Sequence, residues 1–345
     1  MAWWYKAAQI GIVLFLLQRQ EILMPRLRSI QGFTPYIIVV FLNAFVDLGH
    51  KIVIQNAIFK TYDDQEQMVL TAIINGLILL PCILLFSPAG FLTDRFFKHR
   101  IIRHAALAAV GATLLITYCY YQGWFWGAFA LTLALSIQSA IYSPAKYGYI
   151  KELVGTNNLA SANGAVQAIT VAGILLGTFV FSIIFEAFLP AITHLTTAEI
   201  MRTVAPIGWV LVALATLGWL SSLRLPRRRE PASKTRFEIE PYLKLHYLRK
   251  NLAVLNSNTS IWLSIIGLAT FWSISQVVLV AFPAFAKETL QIDNTVVIQG
   301  ILACSGIGIM LGSVIAAHAS KNYIETGLIP IGALGVAIGI ALLPG

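Results

Sequence analysis

The sequence predicts an all-α polytopic membrane protein, on three observations. Hydrophobic residues make up 58% of the 345 and charged residues 11%, with a mean hydropathy of +0.77. A soluble domain carries about a quarter charged residues, so this chain cannot be wetted over its whole surface. Several apolar runs reach the roughly 20 residues that a helix needs to cross hydrocarbon. They lack strand alternation, and backbone groups in lipid must be satisfied within their own segment, so the runs read as helices. Basic residues gather in alternate loops, the pattern that orients a threaded chain. The net charge of +9 is therefore topology rather than a nucleic-acid footprint, and no nucleic-acid partner is expected.

Residues 1–32 stand apart as an N-terminal extension. Trp3, Trp4 and Tyr5 precede Ala7 to Leu17, a run too short to span, and Arg19, Glu21, Arg26 and Arg28 follow it. A cleaved signal would start basic and end at a small-residue site. The segment reads instead as an interfacial helix, or an extended start to the reading frame, on the cytoplasmic face.

The first span, about Phe33 to Phe59, carries Asn43, Asp47, Lys51 and Gln55 at four-residue steps, with His50 beside them. Such steps make one slowly turning stripe. Ionisable groups at membrane depth are costly and normally face a cavity or one another. Asp47 and Lys51 fit a self-neutralising i, i+4 pair. The length of the stripe fits the polar wall of a transport path.

Asp63, Asp64 and Glu66 place the next connection outside. A second span, about Met68 to Gly90, leads into a basic turn running from Gly90 to Arg100. Gly90 is expected to let helices approach, and Asp94 to accept hydrogen bonds from the start of the third span (about Ile101 to Tyr120) and pair with a nearby Arg. Arg95, Lys98, Arg100 and Arg103 hold that turn inside. Aromatic residues from Tyr120 to Trp126 mark the outer interface. The fourth span is expected to end in Ser139 to Gly148, where Ser139, Tyr142, Ser143 and Lys146 share a face and Pro144 bends the backbone. Lys146 there serves a polar path or snorkels to the interface. A fifth span opens at Leu159, shows Asn163, Gln167 and Thr170 on one face, and carries Gly173 and Gly177 for close packing.

The sixth span, about Thr203 to Leu223, precedes the one long hydrophilic segment. Arg224 to Lys250 holds nine Lys or Arg against three carboxylates, which fixes it inside. Three further spans follow, at about Ser260 to Phe282, Val296 to Ala317 and Tyr323 to Leu343. Thr270, Ser273 and Gln276 line the first, and Gly306, Gly308 and Gly312 thin the second. Cys82, Cys119 and Cys304 lie in apolar runs without CxxC spacing and read as buried free thiols. No phosphate loop, His-x-x-x-x-Asp pair or nucleophile–base pattern occurs, so neither an enzyme nor a cofactor or metal is expected.

Gly90-x-x-x-Asp94-Arg95-x-x-Lys98 resembles the signature between the second and third helices of the major facilitator superfamily, with Phe97 where a second Gly is usual. Ser143-Pro144-Ala145-Lys146-Tyr147-Gly148, then Leu159-x-x-Ala162-Asn163-Gly164, with an Asp after Phe41-Leu42-Asn43-Ala44-Phe45, is similar to bacterial lysophospholipid transporters. It is closer still to the transporter portion that some bacteria fuse to acyltransferase and acyl-carrier-protein ligase domains. The resemblance covers Phe33 to the end of the chain. It implies a major facilitator fold cut short after about nine helices: a six-helix half at 33–223, a basic cytoplasmic loop at 224–255 and an incomplete three-helix half at 256–345.

By that likeness the protein flips lysophospholipids, or another amphipathic small molecule, across the bacterial inner membrane by alternating access. Asp47 and Lys146 then meet the headgroup, Asn43, Gln167 and Gln276 hydrogen-bond it, and Lys51, His50, Tyr142 and Asn163 complete the candidate site. Gly90, Asp94, Arg95, Lys98 and Arg100 form the conformational loop. Membrane lipids and a fused or nearby acyltransferase/acyl-carrier-protein ligase are the implied partners. Members with a basic residue in the seventh span have no counterpart here, since none occurs between Trp262 and Ala286. A drug or small-molecule exporter, or a membrane anchor for a fused acyltransferase, are the competing readings.

Overall fold

The computed structural model describes residues 29–156, 158–189, 195–227, 239–302, 304 and 328–341. The expectations for residues 1–28 and for Gly306, Gly308 and Gly312 lie outside the described residues. So does much of the basic segment after Arg227.

The helices are α1 (Phe33–Thr61), α2 (Asp64–Leu84), α3 (Phe86–Arg95), α4 (Lys98–Gln122), α5 (Phe125–Val154) and α6 (Leu159–Phe188). The short α7 (Thr197–Thr203) leads into α8 (Pro206–Leu223). Then come α9 (Ile239–Leu243), α10 (His246–Asn256), α11 (Thr259–Glu288), a helical stretch at 295–302, and α12 (Leu328–Ala341). Seven of them (α1, α2, α4, α5, α6, α8 and α11) contain segments long and apolar enough to cross a membrane. This is a multi-pass membrane protein. The chain divides into two units, Met1–Leu245 and His246–Gly345.

In the first unit α1 is the axial helix. Its 29 residues span roughly 43 Å at 1.5 Å per residue, more than the hydrocarbon core. It packs against α6, α8, α5 and α2. Lipid is as apolar as a side chain, so helices in membranes associate through close fit, and small residues permit it. Gly173 and Gly177 of α6 supply that fit: an added Cβ would lie 2.9 Å from the Phe41 carbonyl oxygen and 3.0 Å from that of Phe45. Large apolar side chains such as Ile83 and Phe86 are left exposed, where hydrocarbon is the solvent.

Two apolar clusters fill this unit. One gathers Ile52 to Ile58 of α1 with Ile116 and Tyr120 of α4 and Phe181 and Phe185 of α6. The other gathers Phe33 and Tyr36 of α1 with Ile102 of α4 and Tyr149 to Leu153 of α5. At one end Lys60 pairs with Glu186 at 3.0 Å. There a capping box starts α7: the Thr196 N–H and hydroxyl donate to the Glu199 carboxylate at 2.8 and 2.7 Å. Those bonds hold the Glu199 carboxyl below its ordinary range.

At the other end Arg103 donates to the carbonyls of Ser222, Leu223 and Leu225 at 3.1, 2.8 and 3.0 Å, satisfying the orphan acceptors that finish α8. α1 begins beside this point. Gly32 is left-handed (φ 91°), and a Cβ there would lie 2.4 Å from Cδ of Pro226.

Several expectations need correcting. The second span stops at Leu84, and Gly90 to Arg95 are helical in α3, so the turn is only Phe96 and Phe97. A Cβ on Gly90 would meet nothing within 4 Å, so no close helix approach depends on it. Asp94 sits in the last turn of α3 and makes no hydrogen bond or ion pair with the start of α4. Arg95, Phe96 and Phe97 separate it from the first residue of α4. The segment Ser139 to Gly148 does not end its helix, because α5 continues through Pro144 to Val154. Cys119 is buried, but Cys82 and Cys304 are exposed. An apolar run in a membrane protein has an outer face as well as an inner one.

Candidate functional site

The polar residues of α1 and α5 meet between the two apolar clusters. Along α1, Asn43 and Asp47 fall around Val46 of the first cluster and just past Val40 of the second. Along α5, Gln138 and Ser139 fall between Leu135 and Tyr142 in the same way. They form a polar waist in an apolar bundle.

Asn43 Nδ2 donates to Asp47 Oδ2 at 3.0 Å and lies 3.2 Å from Ser139 Oγ. The Ser139 hydroxyl donates to the same carboxylate oxygen across the helix interface. Gln138 Nε2 donates to Asn43 Oδ1 at 2.9 Å. Oδ2 is thus held by two side-chain donors, while Oδ1 is buried with no hydrogen-bond partner. Asp47 and Asn43 line a hollow of about 20 Å³, closed by Ala106 and Ala109 of α4 and Ala215 and Gly218 of α8. That is room for about one water-sized group.

Lys146, two turns along α5 from Ser139, is 7% exposed. Its Nζ lies 4.5 Å from the Tyr147 ring centre and 5.9 Å from that of Tyr142. Aromatic faces attract a cation but do not neutralise it. Lys146 acts electrostatically on Asp47, yet the two form no ion pair. The Tyr142 hydroxyl is buried without a partner. The Tyr147 hydroxyl donates to Gln167 Oε1 at 3.4 Å, so α6 reaches the cation through an aromatic ring.

The other candidates stand elsewhere. Lys51 is half-buried and makes no ion pair or hydrogen bond among the described residues, which excludes self-pairing with Asp47. His50 is 1% exposed and bonded to the Tyr120 hydroxyl (2.8 Å), the Ala128 carbonyl (3.1 Å) and Thr132 Oγ1 (3.1 Å). A carbonyl only accepts, so Nε2 carries the proton and Nδ1 accepts from Tyr120. Asn163 is exposed on α6, and Gln276 is half-buried on α11 of the second unit.

At the turn, Lys98 pairs with Glu152 of α5 at 2.6 Å, while the guanidinium groups of Arg95 and Arg100 lie over Phe96 and Phe97 at 5.7 and 5.2 Å. Gln138 and Glu152 are absent from the sequence-derived set. Gln138 was within reach of it, because Gln138, Tyr142 and Lys146 repeat the four-residue step of Asn43, Asp47 and Lys51.

The family model described as Major Facilitator Superfamily matches residues 35–345. The lysophospholipid transporter LplT of Escherichia coli O1:K1 / APEC is 27% identical over 324 residues, 91% of this chain and 72% of that protein. That of Salmonella arizonae is 27% identical over 325 residues, 91% of this chain and 74% of its own length. That of Klebsiella pneumoniae subsp. pneumoniae is 28% identical over 317 residues, 91% and 72%.

Proposed function

Because the chain belongs to the Major Facilitator Superfamily, we propose that it carries lysophospholipids across the bacterial inner membrane, with the polar waist as the headgroup site. The names of its relatives supply the substrate class. The observation that carries the reading is a pair of buried, opposite, unneutralised groups on facing helices. Asp47 keeps one oxygen without a donor, and Lys146 rests on rings instead of a carboxylate. Unpaired charges at membrane depth are expensive and persist where a ligand completes them. A zwitterionic headgroup supplies both partners at once, its phosphate to Lys146 and its ammonium to Asp47. Asn43 and Ser139 fix the carboxylate, with Gln138 holding Asn43, and the Tyr147 ring, itself held by Gln167, faces the cation. The acyl chain lies against apolar helix faces. Opening alternates between the two sides of the membrane. The lysolipid is delivered to the cytoplasmic side, where the N-terminus lies, for re-acylation by an acyltransferase/acyl-carrier-protein ligase.

The test is uptake of labelled lysophosphatidylethanolamine by spheroplasts expressing the chain. Asp47→Asn and Lys146→Ala should each lower uptake about tenfold or more, the cost of one buried charge contact. Equal uptake by the parent, both variants and an empty vector ends this reading. A change in drug susceptibility in the same strains would favour an exporter instead.

A further inference from the structure

Outside the waist, a cavity of about 480 Å³ with a polar end lies between α3, α4 and α5. Its walls are apolar: Leu92 and Phe96 from α3, Ile101 and Ala105 from α4, and Ile141 from α5. It follows α4 from Arg100 to Ala108, roughly 12 Å at 1.5 Å per residue. Arg100 and His104, both exposed and one turn apart, stand at the end nearest the Phe96–Phe97 turn.

That end is short of negative charge. The first turn of α4 holds no acidic residue, so nothing within the helix itself offsets the positive end of its dipole beside Lys98 and Arg100. Lys98 is taken by Glu152, and Arg103 by the α8 carbonyls. Arg100 has only the Phe97 ring, and no hydrogen bond or ion pair among the described residues engages it. Asp94, the nearest carboxylate in sequence, does not pair with it either. An apolar trough ending in a free guanidinium at a helix N-terminus has the polarity of a phospholipid in reverse.

We propose that this groove binds one anionic diacyl phospholipid of the surrounding leaflet. Its phosphate sits on Arg100 and His104, and an acyl chain lies along Ile101, Ala105 and Ala108. The inner end of the groove is Gln138, whose amide nitrogen holds Asn43. The bound chain therefore abuts the far side of the polar waist without entering it. This site is separate from the headgroup site proposed above and does not depend on that reading.

Native mass spectrometry of the full chain, titrated with phosphatidylglycerol or phosphatidylcholine, tests the assignment. The parent should retain one phosphatidylglycerol with about fivefold or greater preference over phosphatidylcholine, as expected for a cation and helix terminus at a membrane surface. Arg100→Gln with His104→Gln should bring that preference to about one. Ala108→Trp, at an exposed position, should fill the trough and reduce retention of both lipids. A melting curve for each variant checks folding, and the charge variants decide the matter should Ala108→Trp fold poorly. Equal retention of the two lipids by the parent, or an unchanged preference in the charge variants, overturns the proposal. So does stronger retention of a single-chain lysolipid than of phosphatidylglycerol.

Discussion

Asp47 and His50 lie three residues apart on α1 and use their polar atoms in opposite ways. Each ring nitrogen of His50 is engaged, in a site walled by Tyr120, Ala128 and Thr132. Truncating it strands the Tyr120 hydroxyl and leaves a cavity. His50→Ala should therefore cost roughly 3 kcal/mol and lower the melting temperature in detergent. Asp47→Asn keeps an acceptor oxygen for Asn43 and Ser139, and should melt within about 1 kcal/mol of the parent. A His50→Ala protein that melts like the parent would remove the structural role. Sequence showed the stripe but not this division. Each four-residue step overshoots a full turn by about 40°, so Asn43 to Gln55 sweeps about 120° of the helix surface. Residues that look aligned in the sequence thus face different neighbours.

Helix α6 shows what spacing reveals about elements and what it hides. Gly173 and Gly177 were legible as a packing pair, and the structure sets both against backbone oxygens of α1. Backbone cannot swing aside as a side-chain tip can. Gly173→Leu or Gly177→Leu should destabilise by about 2–3 kcal/mol, through overpacking that pries the helices apart. Gly90→Ala meets open space inside a helix and should be neutral or add up to about 1 kcal/mol. Denaturant or thermal melts of the three variants check the contrast; equal effects at Gly173 and Gly90 would contradict it. The break at Leu85 and the two-residue turn were not legible. Pro81 and Pro88 mark trouble for a helix, but the sequence does not say that it restarts one residue later. The partnership of Lys98 with Glu152 was equally hidden, because 54 residues separate them and only the α4–α5 packing joins them.

For the whole molecule, both apolar clusters draw their buried members from the first unit. A fragment covering Met1 to Leu245 should therefore insert, purify as a single species and melt cooperatively, yet support no lysolipid uptake. An aggregated fragment without a cooperative transition would show that the unit needs the rest of the chain. The broad class was legible from composition and run length, since bilayer thickness fixes both. The waist was legible only in part: Asp47 and Lys146 announce themselves by charge. Ser139 and Gln138 could be placed on a helix by their spacing, but their bonds to Asp47 and Asn43 show only when a second helix is laid against them.

The left-handed start at Gly32 has a mechanical corollary. Pro226 crowds that glycine, its carbonyl takes the Tyr149 hydroxyl at 2.6 Å, and Leu225 beside it is gripped by Arg103. The strand of chain leaving the sixth span is thereby clamped to the foot of the first. A pull on the chain beyond Pro226 would therefore be applied at the base of the helix that bears Asp47.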